Sequence, residues 1–185
     1  MGEIDPDLNF YNKIDCQLAN CNYFDEPGFD DLTKKIGATN KCFSLCHVNI
    51  RSIKKNLPNF ITYMDCLDFN FPIIGLSETW LKDDNCDVYN IEQYDLFEKH
   101  RTSKSGGGVG LFIHQDIDFT KRLDLCYFDD YIECISIELH KHVFDTNRNI
   151  IISVIYRPPK TDTRCFNDRM QILLDIINNE KSFVT

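Results

Sequence analysis

Two stretches of this chain are apolar almost without a break. Residues 72–76 (Pro-Ile-Ile-Gly-Leu) stop at Ser77-Glu78-Thr79-Trp80, and residues 150–156 (Ile-Ile-Ile-Ser-Val-Ile-Tyr) stop at Arg157-Pro158-Pro159. Runs this short and this apolar read as buried strands. Sheets built from them need cover, and helical patterns near both ends of a strand-rich middle can supply it. In the first, Leu57, Phe60, Ile61, Met64 and Leu67 recur at helical spacing, with Asn56 and Pro58 at the opening. In the second, spanning residues 164–178, Phe166, Met170, Leu173, Leu174 and Ile177 face inward.

Between the helices, residues 94–100, 107–114 and 117–122 read as strands, and 42–50 is a short β-type run before the first helix. Residues 131–140 alternate, with Ile135, Ile137 and Leu139 on one face and Ser136 and Glu138 on the other. Glu133 falls in phase with the apolar face, so it is expected at a strand end or beside a partner. The order β-α-β, several strands, then β-α predicts an α/β chain whose sheets are covered by helices on their outer faces. Residues 182–185 look like the start of one more strand.

The 185 residues carry a net charge of −9, which excludes a polycation that holds nucleic acid by charge alone. Residues 1–40 hold eight acids and three bases, a net of −5, which leaves −4 for residues 41–185. This acidic lead, with a short helix expected over 27–36 closed by Gly37, reads as a loosely structured leader before one domain. The start of the chain has neither the basic nor the apolar region of a secretory signal. No apolar run approaches the ~20 residues of a membrane span. Nine cysteines at irregular spacing argue against a disulfide framework. Cys16, Cys21, Cys42 and Cys46, with His47, form a candidate zinc set, but their spacing fits no tight finger, and reduced thiols are the expectation.

Three polar residues each close an apolar strand: Asn49 after Leu45-Cys46-His47-Val48, Glu78 after residues 73–77, and Tyr156. In α/β folds the carboxyl ends of strands are where ligands bind. Each also has a plain structural reading: Asn49 in a turn, Glu78 at a helix start, Tyr156 as a half-buried aromatic. Glu78 suits a hard divalent cation such as Mg²⁺, which takes one or two protein carboxylates and leaves room for water and phosphate. The basic, flexible segment from Lys99 to Gly108 fails the P-loop pattern, since no Gly-Lys-Ser/Thr follows its glycines. It reads as a hairpin loop or a phosphate contact. Arg51, Lys54 and Lys55 after the first strand, and Arg157, Lys160 and Arg164 after the late one, extend a possible basic rim.

In series, His47-Val48-Asn49-Ile50-Arg51-Ser52, Ile74-Gly75-Leu76-Ser77-Glu78-Thr79-Trp80-Leu81, Gly106-Gly107-Gly108-Val109-Gly110 and Val154-Ile155-Tyr156-Arg157-Pro158-Pro159 resemble the endonuclease/exonuclease/phosphatase superfamily. The likeness is to the apurinic/apyrimidinic-type endonuclease domain of LINE-like (non-LTR) retrotransposons, over residues 42–185. It implies a DNase I-like four-layer α/β/β/α sandwich that nicks target DNA with Mg²⁺ or Mn²⁺, followed in the same polyprotein by a reverse transcriptase. By the resemblance, Glu78 is the metal ligand, Asn49 supports the metal-bound phosphate, and Tyr156 contacts the phosphate as charge builds. Arg51, Arg101, Lys104 and Arg157 are candidate nucleic-acid contacts.

Two features depart from the family. Position 51 is Arg where repair-type members carry a metal-assisting acid. The Gly-Asp-Phe-Asn and terminal Asp-His motifs, which the family uses to activate water, do not occur in the sequence. Loss of a general base alone costs ~10²–10⁴-fold. The expectation is therefore a C-terminally truncated domain, its second sheet incomplete, that does not cleave by itself. The alternatives are a phosphodiesterase or phosphatase of the same superfamily with a non-nucleic-acid substrate, or a non-catalytic fragment. Action on DNA implies the nucleus, although no compact import signal is evident; reduced thiols suit the cytoplasm equally.

Overall fold

The two apolar runs become strands of two different sheets. In the first sheet, β1 (Cys46–Asn49) lies parallel to β2 (Ile73–Ser77), β2 antiparallel to β4 (Val109–His114), and β4 antiparallel to β3 (Tyr94–Lys99), giving the order β1-β2-β4-β3. A parallel pair cannot be joined by a tight turn. The connection here is the helix α2 (Ile53–Cys66). The second sheet is antiparallel throughout. Its strand β7 (Glu133–Leu139) pairs along its length with β8 (Ile150–Tyr156). The other edge of β7 is shared by β5 (Phe119–Lys121) and β6 (Tyr127–Phe128), which are separated by a 3-10 turn at Leu123–Leu125.

The structure, a computed structural model, describes residues 26–37, 43–82, 88–101, 106–143 and 146–181. The chain divides into two units, Met1–Asn40 and Lys41–Thr185. In the first, the described element is the helix α1 (Glu26–Gly37), where a short helix was expected. The candidate zinc ligands Cys16, Cys21 and Cys42, the phosphate candidate Lys104 and the expected strand at 182–185 lie outside the described residues.

Three buried clusters define the layers of Lys41–Thr185. Ile73, Val109, Leu111 and Ile113 of the first sheet meet Ile135, Ile137, Leu139, Ile152 and Val154 of the second. On the far side of the first sheet, Ile53 and Leu57 of α2 pack on Ile74, Leu76 and Phe112. On the far side of the second, α3 (Thr163–Lys181) sets Leu173 against Leu125, Ile132 and Cys134. The arrangement is mixed α/β, with two sheets and helices packed on them. Arg122 ties the outer layers of the second half together, donating to Glu138 (2.9 Å), Asp124 (2.7 Å) and Glu180 (3.2 Å).

Local differences from the sequence pattern have physical causes. The helix α2 starts at Ile53, before Asn56 and Pro58. The Asn56 amide donates to the carbonyls of Ile50 and Arg51, both at 2.8 Å, so it holds the preceding loop from within the helix. In α3, Leu174 is exposed and Ile176 packs inward beside Phe166, Met170 and Ile177. Ser136 is fully buried although it lies on the polar face of β7, because α3 covers that face. Its hydroxyl is satisfied by Ser153 at 2.7 Å and by the Leu125 carbonyl at 3.3 Å. No helix among the described residues is long and apolar enough to cross a membrane.

Leu111 is fully buried between the sheets, whereas Leu123 is 70% exposed. Leu111→Ala is expected to cost about 2–5 kcal/mol in urea unfolding through lost contacts and a residual cavity. Leu123→Ala should stay within about 0.5 kcal/mol. Equal costs would contradict the inter-sheet core.

Candidate functional site at the shared end of two sheets

Parallel pairing of β1 with β2 puts their carboxyl ends side by side, with Asn49 opposite Ser77. Antiparallel pairing brings the amino end of β4 to the same level, with Val109 opposite Ser77. In the second sheet Tyr156 closes β8 directly opposite Glu133, which opens β7. A hydrogen bond shows that the two ends coincide: the Tyr156 hydroxyl donates to Glu78 Oε1 at 3.2 Å.

The loops at this end are tightly built. Arg51 (φ 44°), Ser52 (φ 87°), Glu78 (φ 55°) and Trp80 (φ 55°) all have left-handed backbones. Each costs roughly 1–2 kcal/mol for an ordinary L-residue, so the surroundings must hold it there. The Ser52 amide donates to the Glu78 carbonyl at 2.8 Å and the Ile53 amide to the Thr79 carbonyl at 2.9 Å. The Thr79 and Trp80 amides donate to the carbonyls of Gly108 (3.2 Å) and Gly107 (2.9 Å). The loops after β1 and β2 and the glycine triplet before β4 therefore form one hydrogen-bonded set.

Glu133 anchors that set to the second sheet. Its side chain is fully buried, and both oxygens are engaged: the Gly108 amide donates to Oε2 at 2.6 Å, and Arg101 Nε pairs with Oε1. Burial pushes this carboxyl above its ordinary range, against the opposing pull of the Gly108 N–H and Arg101. Gly107 and Gly108 are required by the fit. A Cβ on Gly107 would lie 2.6 Å from Glu133 Oε1 and 2.7 Å from Arg101 Nε. One on Gly108 (φ 88°) would collide with Thr79 Oγ1, a buried hydroxyl with no hydrogen-bond partner among the described residues.

The sequence-predicted residues separate into groups. Glu78 and Tyr156 are joined directly. Asn49 stands at the end of the neighbouring strand with its side chain exposed, one ladder position from Glu78. Glu78 does not open a helix; it ends β2 in an irregular loop. Arg51 and Arg157 are exposed on the loops after β1 and β8, and Arg157 Nη1 donates to Thr163 Oγ1 at 3.1 Å. Arg101 is drawn inward, its side chain 18% exposed, and its charge is matched by Glu133 instead of being held out towards solvent. Cys46 is a free thiol, and burial raises its pKa. Among the described residues no group of three His, Cys, Asp or Glu side chains could hold a metal, zinc included.

Tyr156 has the most informative electrostatics. Burial, reinforced by the Glu78 carboxylate that its hydroxyl touches, pushes the phenol up to about 12. It is a neutral hydrogen-bond donor at physiological pH. No family model matches this chain, and no curated protein matches it.

Glu78→Gln removes the charge while keeping the shape. The Tyr156 phenol should then titrate nearer its ordinary value of 10.0. ¹³Cζ-tyrosine NMR across pH reads this directly; an unchanged Tyr156 titration would contradict the pairing. Because the folded pKa is raised, the unfolded chain loses this proton first, so Tyr156 lowers stability as pH rises from 10.0 to about 12.

Proposed function

We propose that Lys41–Thr185 is a DNase I-like domain of the endonuclease/exonuclease/phosphatase type. It would bind the DNA phosphodiester backbone with Mg²⁺ or Mn²⁺ at Glu78, as in the endonuclease module of a LINE-like retroelement. The supporting observation is the Glu78–Tyr156 hydrogen bond, which joins two residues from different sheets at the end where the strand loops gather. A reverse transcriptase in the same polyprotein and action in the nucleus belong to this reading.

The donor set bears on the metal. With no three-ligand cluster among the described residues, a closed all-protein cage does not fit. One partly buried carboxylate beside a neutral hydroxyl does fit a Mg²⁺ ion that keeps most of its shell for water and phosphate oxygens. Such an ion polarises a phosphoryl oxygen and stabilises developing charge. The protein's own groups supply the rest. Glu78 would hold the ion. Tyr156, kept protonated, would turn its single O–H from Glu78 to a phosphate oxygen. The Asn49 amide at the adjacent strand end adds a donor, and Arg51 and Arg157 add positive charge at the rim.

Glu133, a second carboxylate at this end, is committed to Arg101 and Gly108 and is not offered to an attacking water. The Gly-Asp-Phe-Asn and Asp-His motifs that the resemblance assigns to water activation are not in the sequence. The proposed behaviour of residues 1–185 is thus metal-dependent binding without hydrolysis.

A fluorescently labelled DNA duplex, followed by anisotropy, should bind more tightly with Mg²⁺ than with EDTA, and Glu78→Gln should remove at least ten-fold of that gain. Supercoiled plasmid should remain uncut. Binding indifferent to Mg²⁺ and to Glu78→Gln would overturn the site. Plasmid nicking by the wild type that is lost in Glu78→Gln would overturn the claim of binding without cleavage.

A further inference from the structure

Trp80 is the chain's only tryptophan, and 45% of it is exposed. Tryptophan is among the side chains that folding hides most effectively on average, so a half-exposed one beside a candidate site needs a reason. Its neighbours give it no freedom to turn inward. Thr79 is fully buried and Leu81 is 7% exposed, so the chain is pinned on both sides of it. Its left-handed backbone (φ 55°) is unfavourable for a bulky residue and is fixed by the 2.9 Å bond from its amide to the Gly107 carbonyl. The indole Nε1 lies 3.9 Å from where a Cβ on Gly106 would stand, so the ring edge rests against the glycine triplet. That triplet leads to the Glu133–Arg101 pair, and Glu133 lies opposite Tyr156, whose hydroxyl meets Glu78.

We infer that Trp80 is a stacking platform for one nucleobase next to the phosphate held at Glu78, which makes a strand with an unstacked base the preferred ligand. The inference rests on the reading of Glu78 and Tyr156 as a phosphodiester site. A nucleic-acid strand is the ligand that presents both a phosphate and a flat apolar ring within one nucleotide, matching a carboxylate–metal site with an indole two residues away. Stacking on an aromatic side chain tolerates any base, since every base has a π-face. The backbone that carries the ring is fixed before binding by the bond to Gly107, so its ordering does not oppose binding.

The single tryptophan supplies a readout that needs no cleavage. Residues 1–185 with Mg²⁺ are titrated with a dT 12-mer and with a 12-mer sugar-phosphate chain lacking bases, and both intrinsic fluorescence and the anisotropy of end-labelled strands are followed. The dT strand should quench Trp80 saturably, and the base-free strand should bind without quenching. Trp80→Ala should weaken dT binding about 5- to 140-fold, the range for one stacked base. Trp80→Phe, which keeps a ring, should stay within about three-fold of wild type, and matched circular-dichroism melting curves show that each variant is folded. Strands that bind by anisotropy with no quenching, and equally well to Trp80→Ala, would overturn the platform and leave the phosphodiester reading standing. No binding of either strand by anisotropy would overturn both.

Discussion

Glu133 carries a carboxylate to a place with no access to water, and much of the site's geometry follows from matching it. A buried ionisable group is tolerated when each of its oxygens is met. Here both are met by the β3–β4 connection of the opposite sheet, through the Gly108 amide and Arg101. The pair therefore joins the two sheets at one end by a polar contact, where elsewhere they meet through an aliphatic core with aromatic side chains packed against it. It also dictates glycine at position 107, since a Cβ there would displace the carboxylate.

From that anchor the loops are linked in turn. Gly107 and Gly108 accept the amides of Trp80 and Thr79, and the carbonyls of Glu78 and Thr79 accept the amides of Ser52 and Ile53. Four ordinary residues are held in left-handed conformations along this path, a concentration of strain of the kind found where function requires fixed geometry. Glu78 is consequently presented to Tyr156 across the sheet interface, with Asn49 one strand away. The acidic balance of the whole chain says little about this end, where the loops after β1 and β8 expose Arg51 and Arg157.

Much of this was legible in the sequence because its signals were local. Unbroken apolar runs marked β2 and β8, helical spacing marked α2 and α3, and the polar residue closing each run marked Asn49, Glu78 and Tyr156. Glu133 was visible as a misfit in phase with an apolar face, but its partners Arg101 and Gly108 are 32 and 25 residues away, and no periodicity encodes such a distance. Arg101 shows the cost of that blindness: a basic loop residue read as a phosphate contact has its charge matched inside the protein. The short strand β6 and the 3-10 turn before it escaped notice because two or three residues carry no period. The face of β7 bearing Ser136 was expected to be polar, yet it is buried because α3 covers it, a tertiary fact.

The central claim is that Glu78 and Tyr156 form one cation- and phosphate-directed site. It is tested most directly by following the Tyr156 ¹³Cζ resonance while Mg²⁺ is added at neutral pH. A cation at Glu78 offsets the carboxylate that the hydroxyl touches, so the resonance should move saturably in the wild type and stay still in Glu78→Gln. A Tyr156 signal that ignores Mg²⁺ in the wild type, or that moves equally in both proteins, would contradict the account.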